Sequence, residues 1–287
     1  MKSLSRKNIS LWAAVALGLT IQGLGLSSEA QIVTLVNNNS LAQINTASQA
    51  GMFRWTIDNQ NVLNQQWFWY RAASQTREFS IDTISAPSIT TPNANTLYTR
   101  YNNGAYGVEI DYLLTGFSPG SGKSDVQESI TITNATASPL EFHFFQYSDF
   151  NFSQPPGGDT ILLGKNLHGL WNEASQTGQD QFGNPIGVTE TVVAPGGQHG
   201  EAAFYNATLI KLNDANPDTL NDNGGPVGPG DVTWALEWDF IIPAGSSVGI
   251  SKDKYAQLQP IPEPSALALI SLGLIGFALR LGRRLAR

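Results

Sequence analysis

The sequence predicts an all-β protein: an antiparallel β-sandwich with a jelly-roll or an Ig-like layout. Three observations point there. Gly (28) and Pro (15) are frequent, while charged residues make up 14% of the 287 residues. Helical periodicity is hard to find, whereas two-residue alternation recurs. Short alternating runs are separated by turn residues, the pattern of strands packed in two layers.

In chain order, strands are predicted around residues 32–36, 53–57, 66–72, 96–101 and 106–114. The run 126–133 alternates most cleanly. Val126, Glu128, Ile130 and Ile132 share one face; Gln127, Ser129, Thr131 and Thr133 share the other. Turn residues occupy 134–139, and 140–150 returns rich in aromatics, so the two strands are expected to pair as a hairpin. Further strands are predicted at 188–193 and 231–242. In the latter, Trp234, Leu236, Trp238 and Phe240 form a core face opposite Glu237 and Asp239. Gln154-Pro155-Pro156-Gly157-Gly158 breaks the chain, and a loop over 213–231 is dense in Asn, Asp, Gly and Pro. Neither is long enough for a domain linker. One domain, residues 31–259, is preferred, with a hairpin-swapped or two-lobed sandwich as the other option.

The ends read as addresses. Lys2, Arg6 and Lys7 precede an apolar run over 9–26, and Ser28-Glu29-Ala30 offers a cleavage site before Gln31. Residues 1–30 therefore read as a signal peptide that takes the chain through the secretion translocon. At the other end, Pro262-Glu263-Pro264 makes an extended, accessible stretch. An apolar helix over 265–281 follows, about 26 Å long at about 1.5 Å per residue. That is slightly short of a hydrocarbon core about 30 Å thick, which favours a transient hold over a permanent anchor. Arg280, Arg283, Arg284 and Arg287 place the far end in the cytoplasm.

The segment 260–287, with its Pro-Glu-Pro motif, single helix and Arg-rich end, resembles the PEP-CTERM sorting signal of Gram-negative bacteria. The resemblance implies an exosortase-type processing enzyme as partner, cutting near Pro264. It also implies an inner-membrane intermediate and delivery to the cell surface or an exopolysaccharide matrix. The stretches 65–71 and 228–234 are similar to segments of other PEP-CTERM proteins.

Removing the three basic residues and Glu29 of the signal, and the four tail arginines, changes the charge balance. Nine basic and 22 acidic residues remain, net −13, against −7 for the whole chain. Such a body repels nucleic acid and anionic headgroups and favours divalent cations. Cysteine is absent, so the exported domain relies on its core rather than on disulfides.

No complete catalytic set emerges, and a non-enzymatic surface role is expected. Gly116-Phe117-Ser118-Pro119-Gly120 fits the nucleophile-elbow pattern, but Pro119 has no N–H for an oxyanion hole. Gly245-Ser246-Ser247-Val248-Gly249 also fits and reads as a turn. Ser251-Lys252-Asp253-Lys254 fits S-x-x-K and reads as a strand end. Glu109-Ile110-Asp111 puts two carboxylates on one strand face and resembles laminarinase-type jelly-roll glycosidases. Leu114 stands where that resemblance requires the acid/base glutamate, so a degenerate glycosidase is the enzymatic alternative. Glu237-Trp238-Asp239 repeats the pattern with the same gap.

Two binding alternatives stand beside these. Asp214, Asn216, Asp218 and Asp222, with Asn221 and Asp231, are candidate Ca²⁺ ligands in one loop. The loop is no EF-hand, because Thr219 and Gly225 occupy the positions that need Gly and Glu. No other cofactor is expected. His143, His168 and His199 lack metal-binding spacing. Trp67, Trp69 and Tyr70, with Phe68 between, put rings on both faces of one strand. They serve either the core or, as candidate carbohydrate contacts, a matrix polysaccharide.

Overall fold

The computed structural model of the protein describes residues 31–152, 158–179 and 183–258. The signal segment, the Pro262–Glu263–Pro264 motif, the 265–281 helix, the tail arginines and most of the 154–158 break lie outside the described residues. Among the described residues, no helix is long and apolar enough to cross a membrane.

The chain opens with β1 (Ile32–Asn37), β2 (Ser40–Asn45), β3 (Gly51–Ile57), β4 (Gln60–Asn61), β5 (Leu63–Ala72) and β6 (Phe79–Ser80). Next come β7 (Ser88–Asn93), β8 (Thr96–Asn102), β9 (Tyr106–Gly116), β10 (Lys123–Asn134) and β11 (Leu140–Phe150). They are followed by β12 (Asp159–Lys165), β13 (Trp171–Gln179), β14 (Pro185–Ala194) and β15 (His199–Phe204). A short helix, α1 (Ala207–Leu212), precedes β16 (Val227–Gly230), β17 (Val232–Ile242) and β18 (Ser247–Gln257).

These strands build two nine-stranded sheets. The first runs β1-β2-β3-β5-β11-β17-β15, with β4 beside β3 and β6 beside β5. The second runs β16-β12-β13-β14-β18-β10-β9-β8-β7. Pairing is antiparallel except where β3 meets β5 at Gln66. There Gly51 holds φ +55°, and a Cβ would run into the Trp67 ring. The predicted sandwich is therefore present. Its 18 strands among the described residues, however, exceed the roughly eight of a jelly roll and the about seven to nine of an Ig domain.

The predicted hairpin is not formed. β10 lies in the second sheet between β9 and β18, and β11 in the first between β5 and β17. The turn carries the chain across the sandwich instead. Asn134 fastens this corner: its Nδ2 donates to the carbonyls of Ser138, Ile242 and Pro243. Turn chemistry is the same for a hairpin and for a corner, so the residues could not tell them apart.

Strands β2, β4, β6, β7, β12, β13, β15 and β16 lie where none was predicted, and β18 runs through the stretch read as a turn and a strand end. In β13 the inward positions are Ala174, Gln176 and Gly178, too small or polar to give a hydrophobic rhythm. The core between the sheets is aromatic. Phe68 stacks on Phe144 at 5.3 Å between ring centroids, and Phe150 lies parallel to Trp234 at 6.4 Å. Trp234, Leu236 and Trp238 point into it, as the alternation predicted.

Candidate functional site

Two surfaces follow from this layout, one on the outside of each sheet. On the first sheet, register aligns Arg71 of β5 with His143 of β11, and His143 with Asp239 of β17. His199 of β15 lies opposite Glu237. Alternation left Glu237 and Asp239 on a face opposite the core, yet Glu237 is fully buried. The reason is a roof formed by α1 and the segment 213–226.

Three buried glutamates hold that roof by its backbone. Glu78 Oε1 accepts the N–H of Asp218 at 3.1 Å, Glu237 Oε2 that of Leu220 at 2.8 Å, and Glu201 Oε2 that of Asn221 at 3.1 Å. Arg71 Nε donates to Glu78 Oε1 at 2.8 Å, and Arg71 Nη2 donates to the Asp218 carbonyl. Burial raises the Glu78 carboxyl above its usual range, with Arg71 working against the shift.

Burial corrects the aromatic reading. Trp67 and Trp69 are fully buried, and Tyr70 is buried on the opposite face of the strand; the roof covers Trp69, while Trp67 packs edge-on against Tyr101 of β8. Trp69 Nε1 donates to Asn213 Oδ1 at 3.2 Å, and Trp67 Nε1 donates to Ser80 Oγ at 2.8 Å. None of the three rings is open to a sugar. The candidate Ca²⁺ ligands take separate partners. Asp222 accepts Trp171 Nε1 and His199 Nδ1, while Asp214 Oδ1 accepts the N–H of Asn216.

At the edge of the roof sits a half-open cluster. His143 Nδ1 donates to Asp239 Oδ1 at 2.5 Å and Nε2 to Glu141 Oε1 at 3.0 Å; Glu237 Oε1 lies 3.7 Å from Nδ1. Asp239 first and Glu237 second raise His143 from 6.5 to about 10, so both ring nitrogens carry protons. Asp239 is lowered: burial opposes its charge and His143 outweighs it. Donor atoms of His143, Glu237 and Asp239 lie within 4.8 Å of one another, a spacing a divalent cation could bridge after displacing the imidazolium proton.

Linkage fixes the sign of the pH response. His143, facing Arg71, Glu141, Glu237, Asp239 and His199, contributes fully below its unfolded value of 6.5, and the contribution fades as pH rises through about 10. Asp239 contributes above 3.8 and loses its share as pH falls through its lowered value. The urea midpoint of wild type should therefore exceed that of His143→Gln most near pH ~6, and the gap should close toward pH ~10. A gap independent of pH would show His143 to be neutral.

The second sheet is open on its outer side. Tyr98 of β8, Asp111 of β9, Ser129 of β10 and Ser251 of β18 stand in one row across four strands. Thr96, Leu113, Gln127 and Asp253 form the next row. Together with Val193 they line a groove of about 540 Å³. Tyr98 is 42% exposed, and Asp111 Oδ1 is buried with no hydrogen-bond partner. Burial, then Glu109, raises the Asp111 carboxyl. Glu109 itself pairs with Arg100 at 3.5 Å. The Glu109–Asp111 pair and the Trp67–Tyr70 rings thus belong to different sheets and share no cleft. The turn at 116–120 is a turn: Ser121 N–H bonds the Ser118 carbonyl, and Asp58 binds the N–H groups of Gly120 and Gly122.

Residues 260–284 match the PEP-CTERM protein-sorting motif. The chain is a PEP-CTERM protein. The motif implies processing by an exosortase-type enzyme and membrane-associated sorting to the cell surface. No functionally curated protein shows significant similarity to this PEP-CTERM chain. Among solved structures, it is similar to a bacterial glucoamylase complexed with acarbose: 10% identity and TM-score 0.55, over 85% of this chain and 34% of that one. The match spans about a third of the glucoamylase and shows a shared fold. A galactose mutarotase-like protein from Lactobacillus casei is similar at 8% identity and TM-score 0.47, over 79% of this chain and 100% of that one.

Proposed function

We propose that this PEP-CTERM protein is a non-enzymatic surface module that holds matrix polysaccharide in the groove on its second sheet. The observation that carries this is Asp111 Oδ1. It is a buried acceptor without a donor, set beside an exposed tyrosine ring in an open groove. A sugar hydroxyl would supply that donor while the ring edge or face packs on the pyranose. Binding rather than catalysis fits the rest of the groove. The pattern begun by Glu109 and Asp111 has Leu114 where the acid/base glutamate would stand, and Asp253, the other outward-facing carboxylate of the groove, lies two strands from Asp111. On the first sheet, the glutamates that might serve chemistry are committed to the roof.

Affinity electrophoresis tests the reading, in gels loaded with a soluble β-glucan, a soluble α-glucan or exopolysaccharide extracted from the producing cells. Retardation in at least one gel is expected, with its loss in both Tyr98→Ala and Asp111→Ala. No retardation in any gel would overturn the proposal, and so would retardation untouched by both substitutions.

A further inference from the structure

At the centre of the sandwich, two lysines and two glutamates are sealed between the sheets. Glu128 of β10, Glu190 of β14, and Lys252 and Lys254 of β18 are all at most 1% exposed. Lys254 Nζ lies 2.7 Å from Glu128 Oε2 and 3.4 Å from Glu190 Oε2. Lys252 Nζ contacts Glu128 Oε2 and lies 3.9 Å from Glu190 Oε1. As structural ion pairs these are poorly made. Neither Glu128 oxygen, nor Glu190 Oε1, nor Lys254 Nζ attains hydrogen-bond geometry. Sealing four charges from water costs several kcal/mol per ion unless directed bonds compensate. Packing alone is a weak reason for such a cluster.

The facing sheet supplies another reason. Gln146 of β11 reaches into the cluster, and its Oε1 contacts Lys252 Nζ. Its Nε2 donates to Glu190 Oε2 at 2.8 Å and to Ser148 Oγ at 3.0 Å. The Phe68 ring lies against the amine, 4.8 Å from its centroid to Nζ. An amine and a primary carboxamide thus meet in a dry pocket, with one carboxylate at the amine and another at the amide nitrogen. Burial lowers Lys252 to about 8 despite both glutamates, which brings the neutral, nucleophilic amine within reach.

We infer that Lys252 and Gln146 form an autocatalytic isopeptide cross-link between the two sheets. Lys252 Nζ attacks Gln146 Cδ; a C–N bond forms there, and the bond from Cδ to Nε2 breaks. The displaced nitrogen leaves as ammonia. Glu128 takes a proton from the Lys252 ammonium to free the attacking amine, and Glu190 delivers one to the departing nitrogen. Lys254, within reach of both carboxylates, passes protons between them. Of the two protons that Lys252 gives up, one departs with the ammonia and one stays on the glutamate pair. The cluster then holds one ammonium, one carboxylate and one carboxylic acid, so it remains neutral. No oxidant or other reactant is required. The bond would tie positions 106 residues apart in a chain without cysteine. It is independent of what the groove binds.

Mass spectrometry of the full-length protein decides the matter. The intact mass should be lower by one ammonia than the sequence with the same termini, and digestion should yield a branched peptide joining Gln146 to Lys252. Both signatures should vanish in Gln146→Ala and in Lys252→Arg. In Glu128→Gln the cross-link should form about a hundredfold more slowly. Wild-type protein at full mass, with Gln146 and Lys252 recovered in unmodified linear peptides, overturns the inference whether or not any variant folds. A branched peptide that persists in Gln146→Ala also overturns it.

Discussion

Exchanging Lys254 for methionine is expected to destabilise the domain by roughly 3–5 kcal/mol, the cost of leaving a buried carboxylate without its counter-ion. Methionine matches the length of the lysine stem and keeps the packing between β14 and β10, so the loss isolates the charge. With the ammonium gone, Glu128 and Glu190 face each other with one cation or, where Lys252 is cross-linked, with none. Burial opposes the charge of Lys254, yet the two glutamates outweigh it and raise its pKa, so the ammonium persists through neutral pH. The urea midpoint reads the effect, and the double variant Lys254→Met with Glu190→Gln should recover a large part of it. A loss below about 1 kcal/mol would mean that water reaches the cluster. The exposed Arg100–Glu109 pair makes the contrast. At 3.5 Å, with side chains 57% and 44% exposed, it contributes little to stability.

The sequence exposed half of that cluster. Alternation put Glu128 on the face of Val126, Ile130 and Ile132, and the structure keeps it there. Its partners escaped notice because Ser251–Lys254 resembled a motif at a strand end. In fact it lies inside β18, with Lys252 and Lys254 on the face of Ile250 and Ala256. Two lysines at a two-residue spacing between apolar inward positions were the available signal. Alternation has a second limit: it says which residues share a face, not what covers the face. It placed Glu237 opposite Trp238 correctly and left Glu237 in solvent wrongly. The covering segment, 213–226, carries no rhythm of its own; its Asn, Asp and Gly residues look solvated in sequence. Trp69 was ambiguous for the same reason, whereas Trp67 is covered by Ser80 and Tyr101. The groove on the second sheet was invisible because Tyr98, Asp111 and Ser129 become neighbours only through register.

Replacing Glu201 by alanine should release the roof and cost about 3 kcal/mol, less than the most severe loss of a buried pair because Lys211 can return to water. Glu201 is 1% exposed and serves three parts of the roof at once. It accepts Thr208 Oγ1 at 2.8 Å and Lys211 Nζ at 2.8 and 2.7 Å, which fix α1, and it accepts the N–H of Asn221. A helix of six residues has no stability of its own, so these bonds decide whether α1 exists. Amide hydrogen exchange should therefore accelerate over 207–223 while β9 and β10 keep their protection. Trp69 loses its tie to Asn213 in the same event, and its fluorescence should shift toward that of a hydrated indole. Unchanged exchange over 207–223 would mean that Glu78 and Glu237 alone secure the roof. The expected pattern instead makes Glu201 the residue that keeps the polar face of the first sheet closed, leaving the second sheet as the one with an open groove.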